Sequence, residues 1–359
     1  MYIEKIKLEN FRNYKKQEIN LKNGVNIIYG NNAQGKTNII EAIFLCSLGK
    51  SFRAKKEKEL INFNEEKASV SVEYKRKDRE GKIKVELDDK KVFFINDVKQ
   101  NKISDIIGKI NVVIFTPDNI EIIKDGPAKR RKFLDMMISS LKPNYIHLLN
   151  TYNKALEQRN NFLRQIQTDA KAEVMLEIWD EQLSSLSSKI YEYRSKYIQK
   201  FSEKIGDIHK KITKSGKQEE EIEIRYISNG KSQEEFFSNL KKSRKIDIKR
   251  GFTATGIHRD DFIIYINKKP VATFGSQGQQ RTAILTLKLT ELEIVKEEIE
   301  ESPILLLDDF MSELDEKRRN SFLESIKENQ VIITCTDNIE NIKEISKSIY
   351  IENGTVFEN

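Results

Sequence analysis

The sequence predicts an α/β fold in which a phosphate-binding loop joins a buried strand to a helix. Three observations support this prediction. An apolar run at 25–29 leads into the pattern Gly-x-x-x-x-Gly-Lys-Thr and then into apolar residues at helical spacing. A second apolar run at 304–307 ends in two aspartates. Strand-like alternation recurs between 68 and 96, which indicates antiparallel hairpins beside the nucleotide-binding sheet.

The composition is that of a highly charged globular protein. Of 359 residues, 33% are charged and 38% are hydrophobic, and the formal net charge is +7. This charge favours a polyanionic partner without establishing one. Cys46 and Cys335 form no Cys-x-x-Cys pair, so we expect both to be reduced core residues. Nothing at the start resembles a signal peptide, and the apolar runs are too short to cross a bilayer, which predicts a cytoplasmic protein.

The glycine-bracketed loop is predicted to cradle a polyphosphate. Gly30 and Gly35 allow backbone angles that a Cβ would forbid, so consecutive N–H groups can converge on one anion. Lys36 would reach the β- and γ-phosphates, and the Thr37 hydroxyl would ligate Mg²⁺. The predicted nucleotide-binding residues of this stretch are Gly30, Asn31, Asn32, Ala33, Gln34, Gly35, Lys36, Thr37 and Asn38.

The segments on either side of the loop extend the prediction. Strands are expected at 2–11, 17–21 and 112–115. Arg12, at the end of the first strand, is close in sequence to the nucleotide pocket and is predicted to contact the base or the phosphates. An ordinary surface arginine is the open alternative.

The middle of the chain is predicted to be helical from about 118. Gly126-Pro127 opens one helix. Apolar residues at alternating spacings of three and four between 176 and 197 indicate a helix that packs on the preceding helical stretch at 145–166. A polar segment near 168–169 separates the two, so we expect a short antiparallel helical hairpin. A short helix at 234–240 is expected to precede the basic run at 241–245.

Two later motifs complete the predicted chemistry. Ser276, Gly278 and Gln279 lie just before a long helix expected at 282–299, so a hydroxyl, a glycine backbone and a helix N-terminus face one point. This is a second anion-binding end. After the strand at 303–307, Asp308 suits holding Mg²⁺ through water and Asp309 suits polarising an attacking water. Taken alone, the two aspartates could equally form a strand-end turn or a helix cap.

Together, these motifs resemble the ABC-type ATPase heads of the SMC and recombinational-repair proteins, and most closely the RecF family. The residues that carry the resemblance are those at 10–14, 30–38, 41, 126–135, 258–261, 276–282, 307–309 and 312–315. The resemblance implies a P-loop ABC-type ATPase head with antiparallel β hairpins and an inserted helical lobe. We accordingly expect ATPase lobe I at 1–117, helical lobe II at 118–250, and the signature motif, the Mg-binding strand and the return to the core at 251–359.

The resemblance implies an ATP-gated homodimer that uses ATP and Mg²⁺. In such heads the signature residues Ser276, Gly278 and Gln279 of one protomer cap the γ-phosphate held by the loop of the other. The implied catalytic residues are Asp309, Lys36 and Ser276, and the implied metal residues are Thr37 and Asp308. RecF-like proteins bind DNA when ATP-bound, at gaps and at junctions of single and double strands. They act with RecO and RecR to help load RecA.

Some positions depart from the broader ABC pattern. Asp309 stands where most transporter-type heads carry Glu, no glutamine is evident at 116–118, and no histidine follows 331–335. Because the aspartate has a shorter reach, we expect a weak ATPase whose slow hydrolysis acts as a switch.

The candidate DNA-binding residues are basic residues in three clusters, each of which could instead be a solvated surface run. The first cluster is Lys50, Arg53, Lys55 and Lys56, the second is Lys129, Arg130, Arg131 and Lys132, and the third is the basic run at 241–245. Two other functions stay open from the sequence. One is an ABC transporter ATPase subunit, and the other is a nucleotide-switched scaffold whose ligand is another protein.

Overall fold

The computed structural model describes residues 1–77, 79–166, 175–213, 220–313, 316–336 and 345–358. The chain divides into two compact units, which are Met1–Asn119 with Glu291–Asn359, and Ile120–Thr290. The first unit therefore combines the start and the end of the chain, and the second unit is the inserted middle. The three lobes predicted with boundaries near 118 and 251 stay a prediction.

The strands and helices below are given in chain order. The strands are β1 (Tyr2–Phe11), β2 (Tyr14–Asn20), β3 (Val25–Tyr29), β4 (Ala68–Arg76), β5 (Arg79–Leu87), β6 (Val92–Ile95), β7 (Val98–Gln100), β8 (Val112–Phe115), β9 (Ile222–Ile227), β10 (Asp261–Ile266), β11 (Lys269–Pro270), β12 (Ile304–Asp308), β13 (Val331–Cys335), β14 (Ile345–Glu352) and β15 (Thr355–Glu358). The helices are α1 (Lys36–Leu48), α2 (Glu121–Lys124), α3 (Pro127–Leu141), α4 (Pro143–Gln165), α5 (Leu176–Thr213), α6 (Gln233–Arg250), α7 (Val271–Phe274), α8 (Gln277–Ile299) and α9 (Glu316–Ser325).

An antiparallel sheet in the first unit has the strand order β2-β1-β4-β5-β6-β7. Its strands alternate because one face is buried, as Ile6 and Leu8 of β1 and Val70 and Val72 of β4 show. The hairpins predicted from the alternation between 68 and 96 are confirmed as β4, β5 and β6.

The second sheet of this unit carries the phosphate-binding loop. Its order is β15-β14-β3-β13-β12-β8, and all neighbours are parallel except the hairpin of β14 and β15. Asp308 of β12 lies opposite Thr334 of β13, and Cys335 lies opposite Tyr29 of β3. The carboxyl ends of β3, β13 and β12 therefore meet at one edge, which is where an open α/β sheet binds its ligand.

The β14–β15 hairpin is absent from the sequence-based prediction, which took β13 as the closing strand. Asn353-Gly354 separates two alternating runs and is the typical signature of a two-residue hairpin turn. Asn353 and Gly354 both have positive φ angles, 49° and 71°. The turn signal was therefore present in the sequence.

The second unit is mainly helical, with the small sheet β11-β10-β9. Helices α4 and α5 pack against each other, as predicted for the helical hairpin, although the polar segment near 168–169 lies outside the described residues. Among the described residues, no helix is both long enough and apolar enough to cross a membrane.

The short helix predicted at 234–240 was wrong in length, because α6 continues for 18 residues to Arg250 and includes the basic run at 241–245. It ends at Gly251, which adopts the left-handed conformation and closes the helix by donating its N–H to the Asp247 carbonyl oxygen. Polar residues buried on the inner face of α6 hide its helical period. Asp247 is fully buried and Arg244 is nearly so.

These buried residues belong to an ionic cluster that ties α4, α5 and α6 together. Arg159 donates to Asp180 at 2.8 Å and to Asp247 at 2.8 Å, and Arg244 donates to Asp180 at 2.7 Å. Arg159, Asp180 and Asp247 are completely buried. Buried charges are tolerated only when they are paired in this way, so the cluster fixes how the three helices align.

Candidate nucleotide site

The loop between β3 and α1 has the strained backbone that its glycines permit. The φ angles are 149° at Gly30, 64° at Ala33 and 110° at Gly35. A Cβ added at Gly30 would lie 2.3 Å from the carbonyl oxygen of Ile351, and one at Gly35 would lie 2.6 Å from the side-chain amide of Asn13. At Gly30 another residue would have to move the backbone of Ile351, and at Gly35 the φ is one that other residues rarely adopt. The N–H groups of the first turn of α1 face the same loop and suit an anion.

Lys36 is curled back over the loop. Its Nζ donates to the carbonyl oxygens of Gly30 at 2.7 Å and Asn31 at 2.8 Å, and only 4% of the residue is exposed. The ammonium group is thus fixed inside the loop that would surround a phosphate. Phosphate oxygens are stronger acceptors for this group than peptide carbonyls, because they carry a negative charge that attracts the ammonium group.

The turn between β1 and β2 supports the loop. Asn13 donates from Nδ2 to the Gln34 carbonyl at 2.8 Å and accepts from Asn38 Nδ2 at 2.8 Å. The Tyr14 hydroxyl donates to the Gly35 carbonyl at 3.0 Å. Asn13 and Tyr14 are not among the predicted site residues, since their contacts depend on how β1 and β2 pack beside the loop.

The two predicted metal residues lie together although they are far apart in the chain. The Thr37 hydroxyl donates to Asp308 Oδ1 at 2.8 Å, and Thr334 Oγ1 donates to the same oxygen at 2.8 Å. Asp308 is 7% exposed, and burial raises the pKa of its carboxyl group, while the hydrogen bonds from Thr37 and Thr334 oppose that rise. A hydroxyl and a carboxylate oxygen at one point are the hard oxygen ligands that suit Mg²⁺.

Asp309 follows Asp308 in a different environment. It is half-buried, its φ is 47°, and its backbone N–H donates to Thr334 Oγ1 at 3.0 Å. Thr334 therefore binds both the Asp308 side chain and the Asp309 backbone. Sequence reasoning missed Thr334, because only the pairing of β12 with β13 brings it to the two aspartates.

Arg12 is held next to the loop helix by an internal partner. Its guanidinium forms two hydrogen bonds of 2.8 Å with the fully buried Glu41, and Nη1 donates to the Glu59 carbonyl. Arg53 donates to Asn38 Oδ1 at 3.0 Å. Arg53 also lies 3.6 Å from Glu41, so both arginines contact the helix that follows the loop. The predicted contact of Arg12 with the nucleotide stays a prediction.

A cleft of about 1130 Å³ opens at this rim. The ring of Phe63, which is 99% exposed, stands at its wall. Other side chains that line the cleft are Arg12, Asn13, Asn38, Arg53 and Lys58. The cleft is also lined by five carboxylates, which are Glu59, Glu65, Glu66, Asp88 and Asp89. Its exposed aromatic ring suits a nucleoside, whereas the acidic lining disfavours phosphates.

The signature residues form the N-terminal cap of α8 in the second unit. The Ser276 N–H donates to Gln279 Oε1 at 2.9 Å, and the Gln279 N–H donates to Ser276 Oγ at 3.2 Å. This is a reciprocal capping box, and it places Gly278 in the first turn of the helix. Since a serine hydroxyl that accepts one bond still has a proton to donate, Ser276 can bind an anion at this helix end.

The basic candidates fall into two classes. Lys50, Arg53, Lys55 and Lys56 are exposed in the segment after α1. Of these, Arg53 also has internal partners, which are Asn38 and Glu41. Near the start of α3, three side chains have internal partners. Lys129 pairs with Glu121, Arg130 binds Asp261 through two bonds of 2.6 and 2.9 Å, and Arg131 donates to the Asp260 carbonyl at 2.7 Å. A DNA contact by each of these residues stays a prediction.

The motif at 258–261 is largely internal to the second unit. His258 contacts the Tyr152 hydroxyl at 2.7 Å through Nδ1 and the Thr253 carbonyl at 3.1 Å through Nε2. Burial lowers the pKa of His258 to about 4, so the ring is neutral and donates from Nε2. Asp260 accepts hydrogen bonds from Tyr226 and Ser228. The contacts of His258 and Asp260 brace the end of β10.

The chain is similar over its whole length to proteins named RecF. It is 46% identical to the DNA replication and repair protein RecF of Clostridium acetobutylicum over 371 residues, which covers 100% of both chains. RecF of Acetivibrio thermocellus is also 46% identical, over 94% of each chain. Residues 2–120 match the family model described as the RecF/RecN/SMC N terminal domain.

Solved structures give the same result. The recombination mediator protein RecF-ATPrS in the RecFOR pathway superimposes with a TM-score of 0.93 at 40% identity, covering 99% of this chain and 98% of that one. RecF-ATP of the same pathway superimposes with a TM-score of 0.92 at 40% identity, covering 100% and 97%. The Smc head domain of Pyrococcus furiosus, at 21% identity and a TM-score of 0.56 over 99% and 95%, shares the fold alone.

The predicted fold class, an ABC-type ATPase head with an inserted helical lobe, is confirmed by these structures. The motifs that carried the resemblance lie in the elements described above, at the loop, the strand ends and the first turn of α8. The chain belongs to the RecF family of DNA replication and repair proteins.

Proposed function

We propose that this protein is an ATP-dependent DNA-binding protein of cytoplasmic DNA replication and recombinational repair. ATP with Mg²⁺ drives homodimerisation, and slow hydrolysis reverses it. The observation that carries the proposal is the bond between Thr37 and Asp308, which brings the phosphate loop and the acidic strand end to one point. The similarity to RecF-ATP supports ATP as the nucleotide.

The residues of the first unit would divide the work of hydrolysis. The loop amides and Lys36 bind the β- and γ-phosphates, and the cleft at Phe63 takes the nucleoside. Thr37 and Asp308 would hold Mg²⁺, which neutralises charge that develops on the phosphates. Asp309 accepts a proton from the attacking water while the water oxygen forms its bond to the γ-phosphorus. The bond from that phosphorus to the β,γ-bridging oxygen breaks, and ADP leaves.

The signature residues at the N-terminus of α8 in one molecule complete the nucleotide site of a second molecule. A γ-phosphate bound at the loop offers acceptor oxygens, and Ser276 with the N-terminus of α8 offers donors. Two ATP molecules would then be held between two protomers. Because each phosphate is shared, loss of the γ-phosphate removes the bridge.

Replacing Ser276 with arginine should block this dimer. The larger side chain removes the cap of α8 and fills the space that the phosphate needs, so we expect the dimer dissociation constant to rise at least ~10-fold. The measurement is light scattering with a non-hydrolysable ATP analogue, with ATP affinity of the monomer as the control. A variant that dimerises as well as the unchanged protein would contradict the sharing of the phosphate.

Exposed cations after α1 supply a surface for the DNA backbone. Contacts of Lys50, Arg53, Lys55 and Lys56 with phosphates would be independent of sequence and sensitive to salt. Gaps and junctions of single and double strands are the proposed targets. RecO and RecR are the proposed protein partners, because solved relatives of this family belong to the RecFOR pathway.

We expect ATP-dependent affinity for gapped duplex DNA to fall by ~100-fold or more between 50 and 200 mM salt, as release of counterions requires for four or more phosphate contacts. The measurement is fluorescence anisotropy with labelled gapped DNA. Affinity that stays flat over this range would refute the basic surface. A protein that dimerises with ATP but is never retained on gapped DNA would instead favour the scaffold function.

A further inference from the structure

Glu220 lies just before β9 and contacts the signature motif. Its Oε1 accepts a hydrogen bond of 2.8 Å from Gln279 Nε2. The Glu220 side chain is 24% exposed, so solvent only partly screens this contact. The same glutamine forms the reciprocal cap with Ser276 through its backbone N–H and its Oε1. Gln279 therefore links Glu220 to the serine of the anion-binding end.

The contact fixes which way the Gln279 amide points. A carboxylate only accepts hydrogen bonds, so it selects the amide nitrogen and turns Oε1 towards the Ser276 N–H. The reversed amide would place an oxygen against Glu220 and an NH₂ group against an N–H donor. Both contacts would be repulsive. Glu220 thereby selects the orientation in which Gln279 can cap the helix.

A buried histidine lies on the other side of Glu220, at ion-pair distance but with no hydrogen bond between them. His209 Nε2 lies 3.5 Å from Glu220 Oε2, and His209 is completely buried. The Thr286 hydroxyl donates to the Thr282 carbonyl at 2.8 Å, so it accepts from His209 Nδ1 at 3.0 Å. The contacts therefore run from Thr286 in α8 to His209 in α5, and then through Glu220 back to Gln279 in the first turn of α8.

We propose that Glu220 is a positioning residue for the signature motif, setting Gln279 and through it the Ser276 hydroxyl for the γ-phosphate of a second molecule. The inference rests on the proposed function, because the motif is needed only if it caps a shared phosphate. Glu220 itself touches no nucleotide in this mechanism. It acts by making the capped arrangement the dominant one before ATP arrives, which lowers the cost of ordering on association.

The experiment compares four variants of the full chain with the unchanged protein. Glu220→Ala removes the acceptor, Glu220→Met removes it while keeping the length of the side chain, and Glu220→Gln keeps an acceptor oxygen. Glu221→Ala, which changes the neighbouring exposed residue, is the matched control. Hydrogen exchange of the Gln279 backbone N–H, which donates to Ser276 Oγ, is measured on the monomer without nucleotide. Dimerisation with a non-hydrolysable ATP analogue is measured by light scattering.

We expect Glu220→Ala and Glu220→Met to speed exchange of the Gln279 amide ~10-fold and to weaken dimerisation by ~10-fold, the loss of one charge-assisted bond. Glu220→Gln, which keeps an acceptor oxygen but loses the charge, should fall between Glu220→Ala and the unchanged protein. Glu221→Ala should stay within ~2-fold of the unchanged protein. ATP affinity of the monomer should not change in any variant, which separates this role from a general loss of structure.

Exchange and dimerisation unaltered in both Glu220→Ala and Glu220→Met would overturn the inference, and so would a Glu220→Gln variant as impaired as Glu220→Ala. Failure of the unchanged protein to dimerise would instead refute the proposed function. The exchange measurement needs only the monomer, so it decides on the positioning of Gln279 in that case as well.

Discussion

Replacing Lys36 with alanine is expected to weaken ATP binding by ~100-fold or more, and to abolish the ATP-dependent dimer with it. Lys36 is the cation enclosed by the loop, and its Nζ already lies at the carbonyl oxygens of Gly30 and Asn31. Without it, the phosphates of a bound nucleotide would be buried with one fewer countercharge. Isothermal titration calorimetry with ATP and Mg²⁺ measures the effect directly.

The control for this variant is Lys15→Ala, which removes an exposed lysine of β2 and the same unit of charge. We expect its ATP affinity to stay within ~2-fold of the unchanged protein. If Lys36→Ala bound ATP as tightly as Lys15→Ala, the loop between β3 and α1 would not be the nucleotide site.

The phosphate loop could be predicted from the sequence because its determinants are adjacent in the chain. An apolar strand, two glycines and a helix follow one another, and the structure keeps that order from β3 to α1. The aspartates at 308 and 309 were found for the same reason, since an apolar run stops directly before them. A local pattern of this kind needs no knowledge of what packs against it.

The missed residues of the site depend on contacts between distant segments. Thr334 reaches Asp308 only through the register of β12 and β13, and Glu220 reaches Gln279 across 59 positions. Asn353 donates its N–H to Gln34 Oε1 across 319 positions. One sequence carries no information on such register, so residue type alone could not separate these side chains from ordinary surface residues.

Helix α6 shows a different limit of the sequence analysis. Its inner face carries Arg244 and Asp247. Both are buried because Arg244 pairs with Asp180, and Asp247 pairs with Arg159, in the ionic cluster of α4, α5 and α6. A search for apolar periodicity counts both residues as surface. The prediction therefore stopped the helix at 240, and it treated a half-buried helix as a free basic run.

Replacing Asp309 with asparagine is expected to lower kcat for ATP hydrolysis by ~100-fold while leaving KM for ATP nearly unchanged. Asparagine keeps the shape of the side chain and the backbone bond to Thr334, but it cannot take a proton from the attacking water. ATP binding is left intact, so we expect the variant to stay dimeric with ATP, as we expect of the unchanged protein with a non-hydrolysable analogue. Steady-state phosphate release and light scattering together measure both effects.

Asp308→Asn is the contrasting variant, because it makes the same replacement of a carboxyl group by an amide at the neighbouring residue. Asp308 is buried against Thr37, where Mg²⁺ would bind, so we expect this variant to raise KM for ATP with Mg²⁺ and to lose the dimer. The two substitutions therefore separate metal binding from proton transfer within one pair of residues. If Asp309→Asn hydrolysed ATP at the rate of the unchanged protein, the base would have to be another group, and hydrolysis could not be assigned to this strand end.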